Sequence, residues 1–318
     1  RGNRFMHTTH RTRGQTLFCG AAVSLFLLLA SHSLFADVTI EEGEYEGRPQ
    51  FVVRSARGTY FYDRAGGGFS RWIDVDGNDW VAFRKNPLSK FPQSAAAGYR
   101  GIANLVFGAG NPDAGAGHPG FDQCVSTLVG ANTISTRSKS GAWQWRWSFT
   151  DEHATLTILK ADPANPYWFL YEGPVGGKWS PSTHYFGTDT GGPRRDRPDT
   201  KNQTFGRWHW AYFGDDGCSR VLLAIQRQND QLDDTLWYLG SSAQGIASRD
   251  GMIVFGFGRG PGTQPLFHAA GEQFRIGFVP SPRDLEPRAR HDAITEIAGR
   301  WLDPSRWPDK ATGTPTAR

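Results

Sequence analysis

The chain has 318 residues, of which 13% are aromatic and 21% charged, and its 35 lysines and arginines exceed its 31 acids by four. The first 36 residues hold four arginines and no acid, so the rest of the chain is formally neutral. Bulk charge therefore excludes nucleic-acid binding through a broad basic surface.

The N-terminal segment has the layout of a secretory leader. Its arginines precede the apolar run CGAAVSLFLLLA, which is too short to span a bilayer comfortably, and SLFA ends in a small residue at Ala36. We expect cleavage after residues 1–36 and a secreted or periplasmic protein that begins near Asp37. An uncleaved anchor is the alternative. No second long apolar run follows, so no membrane span is expected once the leader is removed.

Two cysteines, Cys124 and Cys218, remain outside the leader. In an exported chain they fit either one disulfide or two buried free thiols. The sequence leaves both possibilities open, because it does not show whether their Cα atoms lie within bonding range.

Short aromatic or β-branched runs, bounded by Gly, Pro, Asn or Asp, follow one another from residue 37 to about residue 280. Because no long helical periodicity interrupts them, they predict an all-β fold, a large antiparallel sandwich or barrel. The runs are QFVVRS, TYFYD, FSRWIDV, WVAF, WQWRWSF, ATLTILK, YWFLYEG, RVLLAIQ, TLWYLG, MIVFGFG and QFRIGFV.

Two loop-like stretches stand out among these runs. IDVDGNDWVAF predicts a hairpin with a tight turn over residues 76–79, and its aspartates leave a calcium site as the alternative, although EF-hand spacing is absent. GFGRGPG has no phosphate-loop lysine or following helix and is interpreted as a strand end and bend.

The sequence changes character after Pro280. Ile294, Ile297 and Trp301 recur at helical spacing, which predicts one C-terminal helix packed on the sandwich. The predicted single domain thus covers residues 37–302, and residues 303–318 have the composition of a flexible tail.

The chain has 12 tryptophans. In WQWRW, strand alternation places Trp143, Trp145 and Trp147 on one face. Three indoles in a row are typical of a sandwich core, and a sugar-binding platform would have the same pattern.

The stretch FGRWHW, at residues 205–210, raises the sharpest question. If it is one strand, Arg207 and His209 share a face and Trp208 and Trp210 share the other. We interpret Arg207 and His209 as catalytic candidates that face a sugar-binding cleft. An ordinary solvated face is the alternative.

Other polar candidates lie in loop-like segments between the runs. The catalytic candidates there are His184 and Tyr185. The substrate-binding candidates are Tyr99, Arg100 and His118 in a glycine-rich stretch, and Glu172, Lys178 and Trp179 after a predicted strand.

This mixture of residue types suits β-elimination on an acidic polysaccharide, which needs a cation at the sugar carboxylate and a His or Tyr for proton transfer. Glycoside hydrolysis, which needs two suitably spaced carboxyl groups, and non-catalytic glycan binding are the alternatives. We expect a polysaccharide or oligosaccharide partner and predict no cofactor or metal, since neither HExxH nor close Cys/His spacing is present.

The segments YFYDRAGGGFSRWIDVDGNDWVAF, GYRGIANLVF, HPGF and YWFLYEGPVGG resemble a group of exported bacterial proteins. Their strand pattern is similar to the sandwiches of galactose mutarotase-like and polysaccharide-lyase proteins. The resemblance implies a mutarotase-like or jelly-roll sandwich and a carbohydrate context. It carries no catalytic residue over to this chain.

Overall fold

The structure is a computed structural model that describes residues 38–85, 100–108, 110–195, 204–239 and 251–310. The predicted leader and Tyr99 lie outside the described residues. The division into leader, single domain and tail therefore stays a prediction.

The first half of the described chain contains ten strands. They are β1 (Thr39–Tyr45), β2 (Arg48–Ser55), β3 (Gly58–Asp63), β4 (Gly68–Asp74), β5 (Ile102–Ala103), β6 (Cys124–Leu128), β7 (Thr133–Ser138), β8 (Gln144–Phe149), β9 (Ala154–Lys160) and β10 (Phe169–Gly173).

Ten further strands and one helix complete the described part. They are β11 (His184–Thr188), β12 (Gly191–Arg194), β13 (Thr204–Gly206), β14 (Trp210–Asp215), β15 (Arg220–Gln226), β16 (Asp234–Leu239), β17 (Met252–Phe257), β18 (Arg259–Gly260), β19 (Gln264–Pro265), β20 (Gln273–Pro280) and α1 (Pro287–Leu302).

Two nine-stranded antiparallel sheets form the sandwich. Sheet A has the order β1-β2-β3-β4-β5-β10-β17-β16-β13, and sheet B has the order β12-β11-β14-β15-β20-β9-β8-β7-β6. Strands β18 and β19 pair separately. The predicted all-β sandwich with one C-terminal helix is confirmed.

Aromatic side chains from both sheets fill the space between them. Trp143, Trp145 and Trp147 are at most 2% exposed and belong to this core, so they do not form a sugar-binding platform. Phe69 of sheet A meets Trp147 of sheet B edge to face, with ring centroids 4.9 Å apart. Such pairs add to the free energy gained by burying the rings.

Helix α1 covers part of the outer face of sheet B. It buries Ile294, Ala298 and Trp301 against a second apolar cluster. The chain after the helix, which the sequence assigns to a flexible tail, packs as far as Trp307, whose ring lies 4.0 Å from the guanidinium of Arg275. An aromatic ring and a buried cation thus hold this segment to the sheet.

The turn after β4 forms as predicted, but WVAF does not become a strand. The Asp74 carboxylate accepts hydrogen bonds from the backbone N–H groups of Asp76 and Asn78, and the Asp79 carboxylate pairs with Arg71 at 2.9 Å. These aspartates stabilise the turn itself. Within the described residues no group of three or more His, Cys, Asp or Glu side chains is arranged to hold a metal ion.

Cys124 and Cys218 are both free and buried. The disulfide that the sequence left open is therefore not formed, and burial raises the pKa of each thiol to about 12. No helix in the described ranges is long and apolar enough to cross a bilayer.

Candidate functional site

The outer face of sheet A carries a buried polar site in an apolar setting. Strand alternation in β10 directs Phe169 and Tyr171 into the core, whereas Leu170 packs in a separate outer cluster with Trp168 and Trp237. Glu172, two residues after Leu170, shares this outer face. It is 1% exposed. The sequence has therefore placed a carboxyl group where burial costs free energy unless the group is partnered.

Glu172 is paired with Val254 of β17, and Val254 is in turn paired with Trp237 of β16. These three neighbouring strands therefore present a carboxyl group, an aliphatic side chain and an indole side by side. The sheet register itself, and not a flexible loop, fixes the position of the carboxyl group relative to the indole.

Two side chains contact the carboxyl group of Glu172. Its Oε2 lies 3.5 Å from Nε2 of His118, and the Asn104 side-chain amide donates a hydrogen bond to the same oxygen. Burial raises the pKa of Glu172, against the opposing effects of His118, Arg259 and Asn104. A buried carboxyl group with a raised pKa is a type of group that enzymes use for proton transfer.

His118 is held in one orientation by its own loop. Its Nδ1 lies 2.7 Å from the carbonyl oxygen of Pro119. Because a carbonyl oxygen can only accept, Nδ1 carries a proton, and Nε2 is the nitrogen that faces Glu172.

The loop that carries Asn104 and His118 is tied to the sheet by close backbone contacts. Asn104 N–H donates to the Gly117 carbonyl at 2.9 Å, and Glu172 N–H donates to the Gly101 carbonyl at 2.9 Å. A Cβ atom on Gly68 would lie 2.3 Å from the Gly117 carbonyl oxygen, so glycine at that position lets loop and strand approach.

Arg259 supplies a buried cation to the same face. Its guanidinium carbon lies 5.0 Å from the ring centroid of Trp237 and 5.8 Å from that of Trp168. The side chain can cross the sheet because Gly256 lies beneath it: a Cβ there would lie 2.8 Å from Cβ of Arg259. Burial lowers the pKa of Arg259 to about 10, which leaves it charged at neutral pH.

We use the term Glu172 site for Asn104, His118, Trp168, Glu172, Trp237 and Arg259. Among the described residues, five of its buried polar atoms have no hydrogen-bond partner. They are Glu172 Oε1, Asn104 Oδ1, Trp237 Nε1 and the Nε and Nη1 atoms of Arg259. These donors and acceptors are the polar atoms of the site that are able to form hydrogen bonds with a ligand.

The sequence predicted Glu172 and His118 as substrate-binding residues, and the structure brings them together. It did not predict Asn104, Trp168, Trp237 or Arg259. Two features of the sequence pointed to this site. One is the acid near the end of the apolar run YWFLYEG, and the other is the arginine in GFGRGPG, a segment that the sequence analysis interprets as a strand end and bend.

Three other predicted residues meet elsewhere. His184 and Lys178 line an open pocket of about 560 Å³ together with Asp215, and Trp179 stacks on His184 with ring centroids 5.3 Å apart. Nδ1 of His184 accepts from Ser180 N–H, so Nε2 donates to the carbonyl of Val175 at 3.1 Å. Both ring nitrogens are thus engaged with the backbone, which favours a structural role for this histidine.

Tyr185 does not share that pocket. As the neighbour of His184 in β11, it points to the other face of sheet B and is 1% exposed beneath α1. Its hydroxyl group lies 3.3 Å from the Ser281 hydroxyl, and the Arg290 guanidinium carbon lies 4.9 Å from its ring centroid. The structure also buries Arg100, beside Gly177.

Residues 205–210 do not form one strand. Strand β13 ends at Gly206 and β14 begins at Trp210, so alternation does not hold across this stretch. Trp208 packs in the core between the sheets, whereas Trp210 packs in the cluster beneath α1, and the prediction that these indoles share a face is wrong.

Arg207 lies at the surface and pairs with Asp233 at 3.3 Å. His209 is half-buried: its backbone N–H donates to Asp189, and its Nε2 lies 3.4 Å from the carbonyl oxygen of Arg227. Their catalytic role stays a prediction.

No protein-family model matches the sequence, and no curated protein matches it. Solved structures do resemble the chain. The structure of HI1317 aligns over 76% of this chain and 96% of its own, at 12% identity and a TM-score of 0.47. A mutarotase candidate, YeaD from Salmonella typhimurium, aligns over 76% of this chain and 94% of its own, at 11% identity and a TM-score of 0.44.

A third solved structure, 4-alpha-glucanotransferase from Thermococcus litoralis, aligns over 76% of this chain and 41% of its own, at 10% identity and a TM-score of 0.41. A mutarotase candidate is therefore among the proteins similar to this chain. The resemblance to exported proteins and to polysaccharide lyases stays a prediction.

Proposed function

We propose that this chain is an exported carbohydrate-active protein whose Glu172 site binds an acidic polysaccharide and cleaves it by β-elimination. The observation that carries the proposal is the position of Glu172. Its buried carboxyl group has a raised pKa and one unpartnered oxygen, and it shares a sheet face with the buried cation Arg259.

In this proposal Arg259 pairs with the carboxylate of a uronic-acid unit. Neutralising that charge makes the neighbouring C–H group more acidic, which is the first requirement of the reaction. The Nε and Nη1 atoms of Arg259 supply the donors. The guanidinium stays protonated at neutral pH, since its pKa of about 10 lies above that range.

Glu172 then acts as the proton carrier. Its carboxylate takes the proton next to the uronate carboxylate, the electron pair of that C–H bond forms a carbon–carbon double bond, and the bond to the glycosidic oxygen breaks. The proton held by Glu172 passes to the leaving oxygen, so the carboxylate is regenerated. His118 and Asn104 contact Oε2 and leave Oε1 for this transfer, and they act as positioning residues.

The surroundings of Glu172 favour elimination over hydrolysis. A glycoside hydrolase needs a second carboxyl group roughly 5 to 9.5 Å from the first. Within the described residues the side chains that contact the carboxyl group of Glu172 are those of His118 and Asn104, and neither is a carboxyl group. Glycan binding without turnover uses the same site and is the remaining alternative.

A panel of acidic and neutral polysaccharides tests the proposal. Ultraviolet absorbance of the unsaturated product reports elimination, reducing ends report any cleavage, and isothermal calorimetry reports binding. We expect elimination on an acidic glycan. Glu172→Gln should lower turnover by about 100-fold or more, whereas Glu296→Gln on the surface of α1 should leave it unchanged.

Binding without cleavage would favour the non-catalytic alternative, and reducing ends without an unsaturated product would favour hydrolysis. Unchanged turnover in Glu172→Gln would remove Glu172 from the chemistry. Export is tested separately: N-terminal sequencing of the protein from its host should begin at Asp37, and retention of the first 36 residues in a membrane fraction would contradict it.

A further inference from the structure

Strand β6 is the last strand of sheet B, and no strand within the described ranges pairs with its outer side. The N–H group of Val129 donates to the carbonyl of Thr133 at 2.8 Å, which turns the polar groups of the odd-numbered residues toward β7. Backbone groups alternate along a strand, so the N–H and C=O groups of Ser126 and Leu128 face the free edge.

The other three edges of sheets A and B have features that discourage pairing with another chain. Strand β1 carries three exposed glutamates, β12 contains Pro193 and Arg194, and β13 has only three residues. Strand β6 reads CVSTL and has neither charge nor proline. The β6 edge therefore lacks the charges and the proline that discourage pairing at the other edges.

Apolar side chains are exposed along this edge. Val125 is 43% exposed, Leu128 40% and Val129 44%, and they are three of the five large apolar side chains that are exposed in the described part of the chain. Exposed apolar side chains that are concentrated along one edge of a sheet indicate a surface that contacts another molecule.

We propose that β6 pairs with β6 of a second copy of this chain, antiparallel about a two-fold axis at Thr127. Ser126 of each copy then lies opposite Leu128 of the other, which gives four backbone hydrogen bonds from the groups that face the edge. Val125 lies opposite Val129, so the exposed valines cover each other. Pairing stops before Cys124, because its N–H group already donates to the carbonyl of Ala65 at 2.7 Å.

A second copy fits this edge because the segment is self-complementary. A residue at a two-fold axis faces itself, and a charged residue there would be repelled by its copy. Thr127 is uncharged, Ser126 lies opposite Leu128, and Val125 lies opposite Val129, so no pair brings two like charges together. A charged peptide would find no opposite charge on β6.

Cross-linking tests the register directly. The two Thr127 positions form a non-hydrogen-bonded pair with Cα atoms about 4.5 Å apart, within the range of a disulfide. Thr127→Cys should therefore give a covalent dimer under mild oxidation. Val129→Cys is the matched control: the two positions 129 lie about 13 Å apart and should not cross-link. The unsubstituted chain, with its own cysteines, sets the baseline.

Sedimentation equilibrium tests the association itself. The mass of the unsubstituted protein should rise from monomer to dimer over a roughly hundredfold range of concentration, since so short an interface gives weak binding. Thr127→Lys should remain monomeric, whereas Gln228→Lys, which adds the same charge to an exposed loop, should dimerise. Circular dichroism of both variants reports folding.

Three results would overturn the proposal. They are a constant monomer mass over the whole range, a dimer that persists in Thr127→Lys, and equal cross-linking of Thr127→Cys and Val129→Cys.

Discussion

Glu172 Oε2 lies 3.5 Å from Nε2 of His118, and both side chains are 1% exposed. One residue comes from a sheet strand and the other from a glycine-rich loop, and together they place a carboxyl group and an imidazole side by side on the outer face of sheet A.

The pH profile of turnover should report the raised pKa of Glu172. As the proposed base, Glu172 must be deprotonated, so kcat/KM should rise with pH in a range above the ordinary carboxyl value of about 4.3. Arg259 lowers the pKa of Glu172, so Arg259→Gln should move the rise in its residual activity to higher pH. A rise centred at the ordinary value in both proteins would contradict the assignment.

The free energy of unfolding should depend on pH through Asp234. Burial raises the pKa of Asp234 to about 8. A group whose pKa is higher in the folded protein stabilises the fold fully below its unfolded value, and that contribution is lost as pH rises through the folded value. Stability should therefore fall between about pH 4 and pH 8.

Urea unfolding at several pH values measures this effect, and Asp234→Asn is the test variant. Its dependence on pH over that interval should be flatter than that of the parent. The Asp234 carboxylate accepts from the N–H groups of Trp208 and Gly258, so the variant should also be less stable at low pH. An unchanged slope would assign the dependence to other groups.

Gly256 should be required for the Glu172 site without contacting a ligand. A Cβ at this position would lie 2.5 Å from Leu170 Cδ2 and 2.8 Å from Arg259 Cβ, so Gly256→Ala should displace the arginine. We expect at least a tenfold loss of glycan affinity and a destabilisation of about 1–3 kcal/mol. Gly299→Ala in α1, where a Cβ meets nothing within 4 Å, should instead stabilise the protein by up to about 1 kcal/mol.

Arg275 should hold the segment after α1 in place. Its guanidinium donates to the carbonyls of Trp301 and Arg306 and lies against the ring of Trp307. Arg275→Met should cost about 2–5 kcal/mol, because it leaves buried carbonyls without donors, and should change tryptophan fluorescence. Arg300→Met removes an exposed ion pair with Glu296 and should change stability by less than about 1 kcal/mol.

Two variants decide between the Glu172 site and the site first predicted at residues 205–210. Arg207→Ala and His209→Ala should each keep turnover within about twofold of the parent, because neither residue belongs to the Glu172 site. If either variant lost about 100-fold in turnover while binding and folding were kept, catalysis would lie at residues 205–210 instead.

Local patterns in the sequence were enough for the class of fold. Aromatic and β-branched runs predicted most of the central strands, and the spacing of Ile294 and Trp301 predicted α1, because these signals depend on which side of one element meets the core. The strand predicted at WVAF did not form. The Asp79 carboxylate binds the N–H groups of Val81 and Ala82 and so stabilises a turn there.

The site was decided by the tertiary structure. The sequence by itself determined that Glu172 and His118 are polar residues next to turn-rich segments, but their meeting depends on the pairing of β10 with β5 and on the path of the loop beyond it. Arg259 and Trp237 lie on the same face of sheet A as Glu172 because of the way in which β16 pairs with β17. The two ends of the FGRWHW stretch lie in different sheets, because β13 pairs in sheet A and β14 pairs in sheet B. Pairing between distant strands is set by the packing of the whole sandwich, which no local pattern contains.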